Sequence, residues 1–326
     1  MVGLFAALCA SEGHNKARKG NKFQTFDSKM AAVAFAHRAV RNTKLDYRDP
    51  EFELVAQGFK RAQGDVDRKQ PVTTPMLLTM HSLIVGRDTE SELLWGSIVP
   101  AFFFLDRSSE LWGPLTTDRT TGSDRAHCVK ASNFILRNRH GIQVRPGKSG
   151  ATSVEVIFVT HKGDRVAQGS TIRHYGTDHP ILCPVKTAQQ CLSIRARWLS
   201  EGRKLGPYLT SVSDTKTIKK RQVTNLIKTA AAKLGLQKSE YSTHSLRIGG
   251  ACALLAAGKG DLVIRLMGRW SSWCFLVYTR LRPGMIHDAA SCMISASTWE
   301  CPEPGLVPDL SSEHSRGNTR ESNSQS

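Results

Sequence analysis

The stretch Thr243 to Leu281, THSLRIGGACALLAAGKGDLVIRLMGRWSSWCFLVYTRL, decides how the rest of the chain is read. His244 and Arg247 stand three positions apart, which is one turn of a helix that opens at the histidine. Gly268-Arg269-Trp270 follows, and Tyr278 comes 31 residues after Arg247. Further upstream, Arg107-Ser108-Ser109-Glu110-Leu111 sets an arginine one turn before a carboxylate, and Lys162 falls in a turn between two strand-like runs. Singly, each has an ordinary explanation: an intrahelical ion pair, a solvated turn lysine, a structural histidine, a core tyrosine. Their order along one chain asks for a common one.

The charge balance narrows the field. The 326 residues carry 45 Lys and Arg against 28 Asp and Glu, a formal net charge of +17. Such an excess points to a polyanionic partner, a nucleic acid or an anionic membrane surface. By segment the surplus is +5 over residues 1–70, +5 over 71–200, +9 over 201–300 and −2 over 301–326. Lys216, Lys219, Lys220 and Arg221 crowd the first turns expected of a basic helix, where they oppose its dipole; a bound phosphate would supply the missing anion. No membrane span is expected, because the longest apolar run, Leu93 to Leu105, is broken by Gly96, Ser97 and Pro100. The eight cysteines contain no C-x-x-C pair, so they read as ordinary buried or free cysteines of a reducing compartment rather than zinc ligands. MVGLFAALCA at the N-terminus lacks the positive start of an export signal and reads as an amphipathic helix.

Periodicity makes the chain mainly α with a small antiparallel β-sheet. Ala31 to Val40 and Phe52 to Phe59 form two short helices, Thr74 to Ile84 a helix entered through Thr73 or Thr74, and Glu92 to Leu105 a buried apolar helix. Ser153 to Thr160 alternates with period two, turns at Lys162-Gly163-Asp164, and resumes at Thr171 to Tyr175, a hairpin pattern. Val185, Ala188, Leu192 and Leu199 share one helical face; Ile218, Val223, Leu226, Ile227, Ala230 and Leu234 share another. The polar run Asp65 to Pro71 marks a domain boundary, and the Pro- and Ser-rich residues 301–326 a disordered tail.

The series R-x-x-E-L, hairpin lysine, H-x-L-R-x-G-G-A, G-R-W and tyrosine resembles the tyrosine recombinase (phage integrase) superfamily, over about Pro71 to Pro283. Thr243 to Leu281, together with DHPILCPVKTA at Asp178 to Ala188, looks closest to recombinases of eukaryotic mobile elements of the Crypton and DIRS type, which implies a nuclear protein in a eukaryote and otherwise a cytoplasmic or nucleoid one, not a secreted one. The resemblance implies a catalytic domain at 71–300, preceded over 1–70 by a partial helical core-binding domain, as in a truncated or decaying element. It implies double-stranded DNA as partner, a tetramer of protomers on paired sites, and no cofactor or metal.

The chemistry the family implies suits these residue types. A phosphodiester under attack spreads charge over its non-bridging oxygens, which planar guanidiniums bind bidentately, and Arg107 and Arg247 would form that clamp. Tyr278 would attack phosphorus and hold the DNA 3′ end, Lys162 would protonate the leaving 5′ oxygen, and His244 would hydrogen-bond the phosphate or assist proton transfer. Counting back from Tyr278, the family's His/Trp position falls on Arg269 with Trp270 beside it, and either fills the role. A DNA-binding remnant that no longer recombines is the alternative. A type IB topoisomerase would use similar groups, but the H-x-L-R-x-G-G segment and the small size argue against it.

Overall fold

The computed structural model of the chain describes residues 2–11, 21–43, 45–46, 49–62, 69–113, 128–160, 164, 168–279 and 291. The chain divides into two compact units, Met1–Gly250 and Ala251–Ser326. It is mainly helical with one three-stranded antiparallel sheet, as the periodicity requires. No helix among the described residues is long and apolar enough to cross a membrane.

The first unit opens with α1 (Val2–Ser11), α2 (Phe23–Arg41) and α3 (Pro50–Ala62). The last two contain the expected helices at Ala31–Val40 and Phe52–Phe59 and run longer. Ala6, Cys9, Phe26 and Met30 form a small core flanked by Phe5, Phe23, Phe52 and Phe59. Phe26 and Phe59 meet edge to face with centroids 5.3 Å apart. Asn21 ties α1 down, its side-chain amide donating to the Cys9 carbonyl at 2.9 Å.

Helices α4 (Thr74–Ile84) and α5 (Thr89–Phe103) follow. Thr73 stays extended before α4, as expected. Helix α5 starts three residues earlier than its apolar run because Asp88 caps it, accepting from the Ser91 N–H at 2.7 Å. It also stops earlier, for Leu105 has φ +53°. The Asp106 N–H reaches back to the Ala101 carbonyl, so the left-handed Leu105 terminates the helix although it is not glycine.

Short helix α6 (Ser108–Leu111) comes next, then β1 (Phe134–Arg137), β2 (Ser153–Phe158) and β3 (Ser170–Tyr175), in sheet order β1-β2-β3. The hairpin pairs Ser153 with Tyr175 and Phe158 with Ser170. Strand β1 is an addition to the expected pair. His174 fastens β3 to the end of α5: its Nε2–H donates to the Phe103 carbonyl at 2.8 Å, and its ring stands perpendicular to Phe104 at 4.7 Å.

Helix α7 (Pro184–Ser200) packs on α5 at Gly96, where any Cβ would overlap the Cys191 sulfur and crowd the Thr187 carbonyl. Val185, Ala188 and Leu192 are buried, but Leu199 is 53% exposed, because the apolar stripe drifts off the packed face in the last turn. Helix α8 (Lys220–Lys233) likewise buries Val223, Leu226, Ile227 and Ala230 and, just before it, Ile218. Leu234, beyond its end, is 41% exposed. Helix α9 (His244–Ala256) begins in the first unit; α10 (Asp261–Gly268) and a 3-10 turn, Trp273–Val277, lie in the second.

Candidate active site

Two glycines seat α9. A Cβ on Gly249 would overlap the Val72 carbonyl, and one on Gly250 the Phe102 carbonyl and a Leu105 methyl. The strand-like segment 69–72 is itself pinned alongside. The Gln70 N–H donates to the Glu240 carbonyl and the Val72 N–H to the Ser245 carbonyl, both at 2.9 Å. This close approach lets Arg247, 1% exposed, bring Nη1 to the carbonyl of Leu105. The left-handed turn at Leu105 thus aims a main-chain acceptor at one arginine and leads the chain directly to the other.

Arg107 stands at the start of α6. Its N–H donates to Glu110 Oε2 at 2.8 Å and its Nη1 to Oε1 at 2.9 Å. Glu110 is wholly buried, whereas the Arg107 side chain keeps 20% exposure. The carboxylate of R-x-x-E-L therefore grips the backbone and the guanidinium of the arginine at once.

His244 opens α9 and is solvent-accessible. Desolvation, then the charges of Arg247, Lys220 and Arg107, push its imidazolium down to about 4. Because the residue is exposed, the three surrounding cations are the firmer cause. The imidazole is neutral at pH 7, the form that can accept or relay a proton. The first unit thus brings Arg107, His244 and Arg247 together and adds Lys220, which the sequence placed only among DNA-contacting lysines.

The lysine cluster is laid out differently from expectation. Helix α8 starts at Lys220, with Lys219 as the residue before it; the Lys219 N–H donates to Gln222 Oε1 at 2.7 Å. Lys216 lies ahead of the helix in a turn closed by a bridge between Ser211 and Thr217. Lys216, Lys219 and Lys220 line a shallow groove with Trp112, the residue just after α6. Arg221 is exposed but does not line it. Lys162 lies outside the described residues.

The second unit holds Arg269, Trp270 and Tyr278. The Arg269 N–H donates to Leu266 and the Trp270 N–H to Arg265, the paired bonds of a left-handed helix stop with Arg269 at φ +56°. Gly268 has no Cβ because the Trp270 ring lies on it. Trp270, 7% exposed, stacks in turn on Tyr278, centroids 5.0 Å apart and planes tilted by 40°. The Tyr278 carbonyl accepts from Cys252 Sγ at 3.4 Å. Tyr278 follows a 3-10 turn, half-buried, with Phe275 buried and Leu276 56% exposed. Of the other tyrosines, Tyr241 is buried and Tyr175 is 67% exposed. Cys274, four residues before Tyr278, is exposed; the other five described cysteines are buried. Burial pushes Cys128 up to about 11 and Cys191 up to about 12.

No family model matches the chain. Among solved structures it is similar to the XerH site-specific recombinase bound to a palindromic difH substrate, at 15% identity and TM-score 0.47, over 70% of this chain and 54% of that one. It is also similar to the Tn1549 transposon integrase in complex with transposon right end DNA, at 14% identity and TM-score 0.48, over 85% and 80% of the two chains. A third similarity is to the XerA recombinase, at 12% identity and TM-score 0.44, over 90% and 88%. This chain spans about half the length of the XerH chain. Two of these three structural neighbours are recombinases and one is a transposon integrase.

Proposed function

We propose that the protein is a DNA strand-transferring recombinase that cuts and rejoins duplex DNA through a 3′-phosphotyrosine at Tyr278. The observation that carries this reading is the gathering of Arg107, Arg247 and Lys220 around a neutral His244. Three cations about one proton-carrying group suit a phosphodiester in its pentacoordinate state, whose added negative charge they would offset. In the proposed step the Tyr278 hydroxyl gives up its proton to solvent as its oxygen bonds to phosphorus, and the 5′ oxygen leaves, taking a proton from Lys162. The phosphotyrosine keeps the bond energy needed for rejoining. His244 donates to or relays from a non-bridging oxygen, and Arg269 or Trp270 contacts the same phosphate. The two arginines carry charge that a metal would otherwise supply. The domain limits 1–70, 71–300 and 301–326, the tetramer on paired sites, the kinship with Crypton and DIRS elements and the nuclear location belong to this proposal and rest on the sequence resemblance.

A second reading has its own support. Arg247 is buried and engaged with the Leu105 carbonyl, the arrangement of a chain that keeps its basic surface and binds DNA without cutting it. A nicked suicide duplex separates the two. The recombinase gives a covalent protein–DNA species that Tyr278→Phe abolishes while duplex affinity stays unchanged. Wild-type protein that binds the duplex yet yields no adduct establishes the second reading. An adduct that survives in the Phe variant moves the nucleophile elsewhere.

A further inference from the structure

Between Asp124 and Glu155 the chain runs for 30 residues without an acidic side chain while carrying six Lys and Arg. Four of the six, Arg137, Arg139, Arg145 and Lys148, flank or occupy the connection from β1 to β2, which is long for a hairpin and well ordered by its own bonds. The Asn138 N–H donates to the Ile142 carbonyl at 2.9 Å, and Asn138 Oδ1 accepts from the N–H groups of His140 and Ile142 at 2.9 and 3.0 Å. The Val144 N–H returns to the Leu136 carbonyl, and Arg137 bridges Gln143, so the segment folds back along the free edge of β1. At its far end the Gln189 side chain of α7 donates to the Lys148 carbonyl at 2.8 Å.

A carboxylate inside the sheet stiffens the tip. Glu155 accepts from Arg137 on one side and from Arg173 at 2.6 Å on the other, and Arg137 Nη1 also donates to the Gly141 carbonyl at 2.9 Å. Burial pushes the Glu155 carboxyl up, but the hydrogen bonds and charges of Arg137 and Arg173 outweigh it and hold the group below the usual carboxylate range. Arg137 is thereby spent on structure. Arg139, Arg145 and Lys148 are exposed, and no ion pair among the described residues engages them. Ile142 stands among them at the tip, 64% exposed. Three outward cations on a braced turn, with an apolar side chain between them, match the alternation of phosphate and sugar along a nucleic-acid backbone.

We infer that this β1–β2 arm is a second DNA-binding surface, gripping phosphates of the duplex away from the strand being cut. The inference rests on the reading proposed above. The arm sits at the Ser153 end of β2, whereas the β2–β3 connection leaves from Phe158, the other end. Six residues of strand separate them by about 20 Å, which corresponds to about six base-pair steps of duplex.

The test uses the full chain, a 30-base-pair duplex and fluorescence anisotropy at 50 to 200 mM salt. The Arg139→Ala/Arg145→Ala/Lys148→Ala variant should lower the slope of log affinity against log salt by roughly 3, so that the same salt increase costs it about 40-fold less affinity than the parent. Arg145→Glu/Lys148→Glu should weaken binding further at low salt. Circular dichroism should match the parent in both, since the altered side chains face solvent. A parent that binds and a triple variant with an unchanged slope overturn the arm but leave the recombinase reading standing. A parent that binds no duplex overturns both.

Discussion

Gly249 and Gly250 in the first unit and Gly268 in the second all make room for a close neighbour, but the neighbours differ in kind. The first two face main-chain carbonyls of Val72 and Phe102, and the third faces the Trp270 ring. A carbonyl held in the pinned segment 69–72 or in the last turn of α5 cannot step aside; a ring can turn about its side-chain bonds. The arginines and His244 are therefore set by backbone against backbone. The stack of Trp270 on Tyr278 is set by a side chain that can adjust, on a 3-10 turn whose Trp273 and Val277 are 58% and 53% exposed. Fixed charge and an adjustable ring would suit the reaction proposed above, in which Tyr278 is attached to DNA and then released.

Urea midpoints can break this contrast. Gly249→Ala should cost about 3 kcal/mol or more, because backbone must move to admit the methyl. Gly268→Ala should cost less, about 1–2 kcal/mol, and should change tryptophan fluorescence as the Trp270 ring is displaced. Equal costs would mean the ring is as immovable as the main chain. Gly58→Ala supplies the baseline: in α3 nothing lies within 4 Å of the added methyl, so it should stabilise by about 0.5–1 kcal/mol.

A further effect is electrostatic and sharpens the account of the fixed side. His244, held down to about 4, binds its proton more weakly when folded than when unfolded. Stability should thus be insensitive to its titration above about pH 6.5 and should fall as pH drops from there towards 4, where the unfolded chain takes up the proton first. Lys220→Ala should raise the His244 midpoint measured by NMR. An unmoved midpoint would take Lys220 out of the group around the histidine.

Local patterns revealed most of the helices and the β2–β3 pair because each is encoded within a dozen residues. Strand β1 escaped because Phe134 to Arg137 is four residues long, too short for alternation to register, although Asn133 and Asn138 bracket it. The exposures of Leu199 and Leu234 show the same limit at helix ends, where a periodic stripe outlasts the surface it packs on. The arginines, histidine and tyrosine were legible as an ordered set, but the burial of Arg247 was not. It depends on a left-handed leucine 142 positions away and on two glycines whose value appears only once α9 meets α5. The basic arm is masked in the net charge of residues 71–200 by the acidic residues on either side of it, although none falls between Asp124 and Glu155.

The exposed thiol of Cys274, so close along the chain to Tyr278, gives the tyrosine a reporter. Cys128 and Cys191, which ionise only in strongly alkaline solution, are poor targets for a maleimide at neutral pH. Burial pushes the Cys183 thiol up, but neighbouring N–H groups outweigh it and draw the group below the usual thiol range, so Cys183 is shielded by burial alone. With Cys292 and Cys301 replaced by serine, one environment-sensitive dye can be placed beside the proposed nucleophile. Its emission would time the arrival of DNA there separately from any bond made to it, so that encounter and chemistry are read on the same molecule by two different clocks.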